Sequence, residues 1–227
     1  MLFPKLGDRL AAIRARIGAA AERGGHGQQV VVVAVTKTHG PDAVAAAFEA
    51  GLRDIGENKV QEALGKMAEV KLPLRWHLIG HLQRNKVKSL DGFSLFHALD
   101  SSRLADAIHR FGADRGKAVD VLVQVNPARE ETKGGFDVGE VEMEAVRLAG
   151  MDGLRVLGAM TIARLGADEA ELRETFAVVR ETRRILADAG HPATELSMGM
   201  SNDFEIAVEE GATMVRLGSL LFGVRWQ

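Results

Sequence analysis

The 227-residue chain contains no cysteine, which excludes disulfides, thiolate catalysis and Cys-ligated metals outright. That agrees with a reducing cytoplasm without requiring one. Tyrosine is also missing, so one of the usual acid/base side chains is gone before any mechanism is considered. Nor is there an excess of one charge: 29 Lys plus Arg face 31 Asp plus Glu, a formal net charge of −2. With no basic run, neither nucleic acid nor an anionic membrane is an expected partner. No window approaches a membrane span, and the start, Met1-Leu-Phe-Pro-Lys-Leu-Gly-Asp-Arg-Leu10, reaches charge too early for a signal peptide. The expectation is a soluble, unexported, cytoplasmic protein. No Ser/Pro-rich linker or low-complexity tract divides the chain, so residues 1–227 read as one domain.

What is present is a recurring unit of short apolar strand, helix and glycine. The most apolar run, Val30-Val-Val-Val-Ala-Val-Thr-Lys37, places five valines in six residues, the pattern of a strand buried on both faces. Further strands are expected near 53–55, 74–78, 94–97, 119–125, 154–158, 194–197 and 213–216. Helical spacing covers about 58–70, 83–89, 102–113, 137–149, 168–189 and 203–210, with an amphipathic leading helix at 5–22 and a proline-started one from Pro41. Eight alternating units in about 200 residues predict a (β/α)8 TIM barrel. The rival open doubly wound sheet lacks its phosphate loop, because no Gly-x-Gly-x-x-Gly follows any strand.

In such a barrel chemistry gathers at the C-terminal strand ends, and the unusual residues fall there. Lys37 ends the first strand, Glu57-Asn58 the second, His77 the third, His97 the fourth and Arg216 the eighth. Taken alone, Lys37 is a lysine snorkelling into water, and Glu57-Asn58 a helix start with Asn58 as cap. Arg216 either pairs with Glu57, Asp203 or another strand-end carboxylate, or turns its fork to a ligand acceptor. The seventh turn, Met198-Gly-Met-Ser201-Asn-Asp203, and the eighth, Gly218-Ser219, offer glycine backbone and two hydroxyls to an anion. Ser201 read alone is an ordinary helix N-cap; two such turns at the expected phosphate positions favour phosphate. A lysine, an arginine and a phosphate nest at one barrel mouth match the needs of pyridoxal 5′-phosphate: an amine, a ring-nitrogen partner and an anion site.

The histidine pair His77-Leu-Ile-Gly-His81 has the i, i+4 spacing of a zinc helix but lacks its glutamate and carries Gly80. Packing or hydrogen bonding is the expectation there and at His97, and no metal is expected. The methionines, Met200 among them, read as core or pocket lining.

These residues carry a family resemblance. Ala34-Val-Thr-Lys37, Gly56-Glu-Asn-Lys-Val-Gln-Glu62, Trp76-His-Leu-Ile-Gly-His-Leu-Gln-Arg-Asn-Lys86, Gln124-Val-Asn126, Leu196-Ser-Met-Gly-Met-Ser-Asn-Asp203 and Val215-Arg-Leu-Gly-Ser-Leu-Leu-Phe-Gly223 together resemble the pyridoxal phosphate homeostasis proteins. These are single-domain relatives of the alanine racemase N-terminal barrel. Lys59 stands where the family usually has an aromatic after Glu-Asn, and Ser219 where an acidic or small polar residue usually follows the glycine. The resemblance implies an alanine racemase N-terminal domain-like barrel with an extra N-terminal helix, holding the cofactor as a Schiff base on Lys37. It further implies Arg216 at the pyridine nitrogen, Ser201, Gly218 and Ser219 around the phosphate, and Asn58 lining the site, with Met200 also among the cofactor-binding residues.

What is then expected is a monomeric protein of intracellular vitamin B6 homeostasis, with amino acids or pyridoxal phosphate-dependent apoenzymes as further partners and no residue assigned as catalytic. Two-base racemisation needs an acid/base group on each face of the cofactor, and the racemase relatives take a tyrosine from a second domain. Arginine donates and cannot accept, so it favours an unprotonated ring nitrogen and weakens the ring as an electron sink. The alternatives are a weak racemase or lyase with Lys37 as sole base, and a class I aldolase, which leaves Arg216 without a ligand role. Imine formation at neutral pH leads one to expect a partly desolvated Lys37, its pKa lowered by burial and by Arg216.

Overall fold

The computed structural model describes residues 3–128 and 134–223. Eight parallel strands close into a barrel in sequence order: β1 Val31–Val35, β2 Asp54–Glu57, β3 Arg75–Leu78, β4 Leu95–Leu99, β5 Val119–Gln124, β6 Leu154–Met160, β7 Glu195–Ser197 and β8 Met214–Leu217. The ring shuts through β8 against β1, where Val33 stands opposite Arg216. Helices α1 Leu6–Gly24, α2 Pro41–Glu49, α3 Val60–Glu69, α4 Ser102–Asp114, α5 Val141–Ala149, α6 Glu169–Asp188, α7 Phe204–Glu209 and α8 Ser219–Phe222 complete the described chain. The expected eight-stranded barrel is present, with every strand within a few residues of its predicted place.

Local chemistry accounts for the helix starts. Pro41 opens α2 after Gly40, and the Asp168 carboxylate caps α6 by accepting from the Glu171 N–H at 2.9 Å. Leu6, Leu10, Ile13, Ile17 and Ala20 form the buried stripe of the extra helix α1. Along the edge of that stripe it is tied to α7 by Arg16 to Glu205 at 2.6 Å and Arg23 to Glu209 at 2.7 Å. Two expectations are corrected. The predicted helix over 83–89 is a run of 3₁₀ turns, Arg84–Gly92, in keeping with Asn85, Ser89 and Asp91, which favour turns. The predicted helix over 137–149 begins as a 3₁₀ turn, Val138–Glu140, before α5.

The register determines which residues share the barrel interior, because paired residues of neighbouring strands point to one face and the side-chain period is two. Val33 pairs with both Asp54 and Arg216, and Gly56 pairs with His77. Val33, Val35 and, by continuation, Lys37 therefore belong to the inward face of β1. Thr36 and Glu57 belong to the outward face, beneath the helices. Among the described residues no helix is long and apolar enough to cross a membrane.

Candidate functional site

The barrel interior is polar to an unusual degree. Asp54 Oδ1 meets His77 Nε2 at 3.0 Å, His77 Nδ1 meets His97 Nε2 at 2.9 Å, and His97 Nδ1 meets Ser197 Oγ at 2.8 Å. Arg216 donates through Nη1 to the Ser197 hydroxyl and carbonyl, both at 2.7 Å, and through Nη2 to the Thr161 carbonyl at 2.7 Å. At the N-terminal end of the barrel Arg75 forks onto Asp54. One chain of hydrogen bonds thus runs from the floor to Arg216. Two proton placements satisfy it, differing by one proton on His77, and His97 is neutral in both. Burial pushes the His97 imidazole well below its ordinary value, helped by His77 and Arg216.

Arg216 is 4% exposed. Burial pulls its guanidinium down to about 10, opposed by the Asp203 carboxylate, so it remains charged at neutral pH. Neither Glu57 nor Asp203 forms the ion pair that the sequence allowed. Glu57 lies on the outward face of β2 and is committed to Lys66 at 2.6 Å, while the Asp203 carboxylate accepts the Met200 N–H. Of the five guanidinium donors, three are used, which leaves Nε–H and one Nη2–H.

The mouth above Arg216 collects polar groups with no partner. Among the described residues the Lys37 ammonium, the Asn58 amide and the hydroxyls of Ser201 and Ser219 make no hydrogen bond or ion pair. Lys37, Asn58 and Ser219 are exposed, and Ser201, Met200 and Gly218 are partly buried. The partly desolvated lysine is corrected: Lys37 stands exposed in a turn two residues past β1, and none of the described elements buries it. Asn58 does not cap α3, whose N-cap position is Lys59 without a side-chain bond. Ser201 caps nothing either, since Asp203 holds the N-cap position of α7. Two glycines shape the seventh and eighth turns. Gly199 has φ +92°, and a Cβ there would lie 2.6 Å from Ala207 Cβ; one on Gly218 would lie 3.2 Å from the Val35 carbonyl.

A second network lies behind the Lys37 turn, on the outward face, and the sequence reading missed it. The Lys66 ammonium, 4% exposed, gives all three hydrogens: to Glu57 Oε1 at 2.6 Å, the Thr36 carbonyl at 2.7 Å and Glu62 Oε1 at 2.8 Å. Thr36 Oγ1 donates to Glu57 Oε1 at 2.5 Å, and Glu62 Oε1 accepts the Thr38 N–H at 2.6 Å. Burial raises the Glu57 carboxyl against the pull of Lys66 and Thr36, and its Oε2 is buried without a partner. Glu62 goes the other way, because the bonds from Lys66 and Thr38 outweigh its desolvation. The i, i+4 pair Glu62 and Lys66 was the available sequence signal.

The histidines behave as the sequence suggested: His77 and His97 are hydrogen-bonded core residues, and exposed His81 contacts Asp100 at 2.7 Å. Among the described residues no group of three or more His, Cys, Asp or Glu side chains is placed to hold a metal. A groove of about 480 Å³ at the same end of the barrel is lined by His81, Arg84, Asn85, Asp100 and Arg103 and includes neither Lys37 nor Arg216.

A family model described as alanine racemase, N-terminal domain, matches residues 9–225. A protein of Aquifex aeolicus (strain VF5) named pyridoxal phosphate homeostasis protein is 41% identical over 222 residues, covering 96% of this chain and 97% of the relative. One of the same name in Escherichia coli (strain K12) is 36% identical over 231 residues, covering 97% of each chain. Among solved structures, PipY of Synechococcus elongatus PCC7942 with PLP bound superposes with a TM-score of 0.84 at 35% identity, covering 96% of this chain and 100% of that one. Alanine racemase from Corynebacterium glutamicum shares the fold, with a TM-score of 0.72 at 16% identity over 95% of this chain and 61% of that one. The chain belongs to the alanine racemase N-terminal domain family, within the group named pyridoxal phosphate homeostasis proteins.

Proposed function

We propose that the protein binds pyridoxal 5′-phosphate in the service of its homeostasis and carries it as a Schiff base on Lys37. The observation that carries this reading is the collection of unpartnered donors at one barrel mouth: the Lys37 amine, the Ser201 and Ser219 hydroxyls, and the two unused donors of Arg216. They fit the cofactor group by group. The glycine-shaped turns with Met200, Ser201, Gly218 and Ser219 would hold the phosphate, Arg216 would donate to the ring nitrogen, and Asn58 would line the rim. PipY with PLP bound and the relatives named for pyridoxal phosphate homeostasis support the ligand.

When bound, the cofactor supplies an aldehyde that condenses with an amine, releasing one water, and a ring that can draw electrons from a carbon attached to that nitrogen. The protein's own residues favour holding over turnover. Arg216 can only donate, which keeps the ring nitrogen unprotonated, and the sequence has no tyrosine to stand opposite Lys37. Storage or delivery is the role that follows. Adding the cofactor should produce an imine absorbance band that borohydride traps on Lys37. A Lys37→Ala protein with the same band would end this reading. Arg216→Lys keeps the charge and loses the fork, and its affinity should fall at least about tenfold. Solvent deuterium exchange at the α-carbon of added amino acids, at rates above free cofactor, would favour the sole-base enzyme instead.

A further inference from the structure

The Lys37 side chain is exposed and has no partner among the described residues, so no described contact fixes its direction. Its backbone is a different matter. On one side, the Thr36 carbonyl accepts from Lys66 at 2.7 Å and the Thr36 hydroxyl is held by Glu57. On the other, Thr38 has φ +67°, the only positive-φ residue other than glycine among the described residues. A β-branched residue avoids that region without outside restraint. Two restraints are present: the His39 N–H donates to the Thr36 carbonyl at 3.0 Å, closing a turn over Lys37 and Thr38, and Glu62 Oε1 accepts the Thr38 N–H at 2.6 Å. The same oxygen accepts from Lys66 at 2.8 Å, so one carboxylate atom connects the two flanks.

We propose that Glu62, braced by Lys66, is a positioning residue for covalent attachment at Lys37. Together with the His39–Thr36 turn bond it holds Thr38 in its left-handed conformation, and that sets the plane of the peptide joining Lys37 to Thr38 and hence the direction in which the amine leaves the turn. The clamp lies on α3, outside the barrel wall, and touches none of the groups assigned to phosphate or ring. This inference rests on the reading of Lys37 as the imine-forming lysine. Without Glu62, Thr38 relaxes toward negative φ, the amine samples directions away from the aldehyde, and attachment weakens while the rest of the binding site is unchanged.

The test compares Glu62→Ala, Glu62→Gln and Lys37→Ala. Glu62 is only partly buried, which favours folded variants, and urea unfolding checks that they are folded. With pyridoxal phosphate, Glu62→Ala should lose about tenfold or more in the rate and extent of imine formation, read from absorbance and from borohydride trapping on Lys37. Glu62→Gln retains an acceptor oxygen and should recover most of the loss. Pyridoxamine 5′-phosphate, which has no aldehyde, should bind Glu62→Ala as it binds wild type. Wild-type imine formation in Glu62→Ala would overturn the proposal, as would an equal loss with both ligands or no recovery in Glu62→Gln. An unchanged band in Lys37→Ala would instead overturn the assignment of the lysine, so the two failures are distinguishable.

Discussion

Acidification from pH 7 to pH 5 should reveal the neutral histidine at the centre of the barrel. His97 is fully buried between His77 and Ser197, and burial depresses its pKa well below the ordinary imidazole value of 6.5. The unfolded chain takes up this proton as the pH drops through that value, and the folded chain does not. The histidine therefore contributes stability that is complete above about pH 6.5 and is lost as the pH falls toward the folded pKa. One proton at 1.36 kcal/mol per pH unit gives a loss of up to about 2 kcal/mol between pH 7 and pH 5, or about 4–8 °C in Tm for a protein of this size. Glu57 and Asp203, both raised by burial, act with the opposite sign on acidification. The informative quantity is therefore the difference between wild type and His97→Gln, which loses the titrating group but keeps hydrogen-bonding capacity. Urea denaturation across this range, with the cofactor state held fixed, should show the steeper acid decline in wild type. Equal slopes in the two proteins would refute the assignment of a neutral His97.

Further perturbations address the outer clamp, the turn around Gly199 and helix α1. Lys66→Met strands the Glu57 carboxylate, 0% exposed, and should cost about 3–5 kcal/mol in urea unfolding, whereas Lys66→Met with Glu57→Leu should recover most of it. A single-variant cost under about 1 kcal/mol would contradict the buried pair. Gly199→Ala forces a methyl within 2.6 Å of Ala207 Cβ at φ +92° and should destabilise by at least about 1–2 kcal/mol. Gly18→Ala, in mid-helix α1 with nothing within 4 Å, should stabilise by about 0.5–1 kcal/mol. Thermal melts of the two glycine variants should move in opposite directions.

The eight strands were legible because β1 and its companions are short apolar runs ended by glycine or charge. Lys37 and Arg216 were legible because a cation in or directly after a buried strand needs an explanation. The partners of Arg216 were not. They come from the ends of β6 and β7, with Ser197 19 residues and Thr161 55 residues away, and only the side-by-side pairing of β6, β7 and β8 brings those carbonyls to the guanidinium. The contact of His97 with Ser197 spans 100 residues, and no local pattern encodes it. Glu57 looked like a candidate partner for Arg216 because both sit at strand ends, but the register places them on opposite faces of the barrel wall. Asn58 fits the preferences of a cap and yet stands one residue before the N-cap Lys59, a shift within the ordinary uncertainty of helix boundaries.

The alternation of β1 separates two kinds of buried polarity. Lys37 continues the inward face of Val33 and Val35, above a chain of hydrogen bonds that ends on Arg216; Thr36, the residue before it, faces outward onto Glu57 and Lys66. Apolar side chains of similar volume at both places would fold at least as well, because burying charge in a barrel brings little net stability. What the polar groups add is position. The inner chain directs the remaining donors of Arg216, and the outer clamp fixes the backbone on both sides of an otherwise unrestrained lysine. Under the proposed function the ligand would be held at two points, one covalent and one a hydrogen bond to its ring, and such a ligand requires those points at a fixed separation. Two networks on opposite faces of one strand can set that separation without placing any further side chain in the site itself.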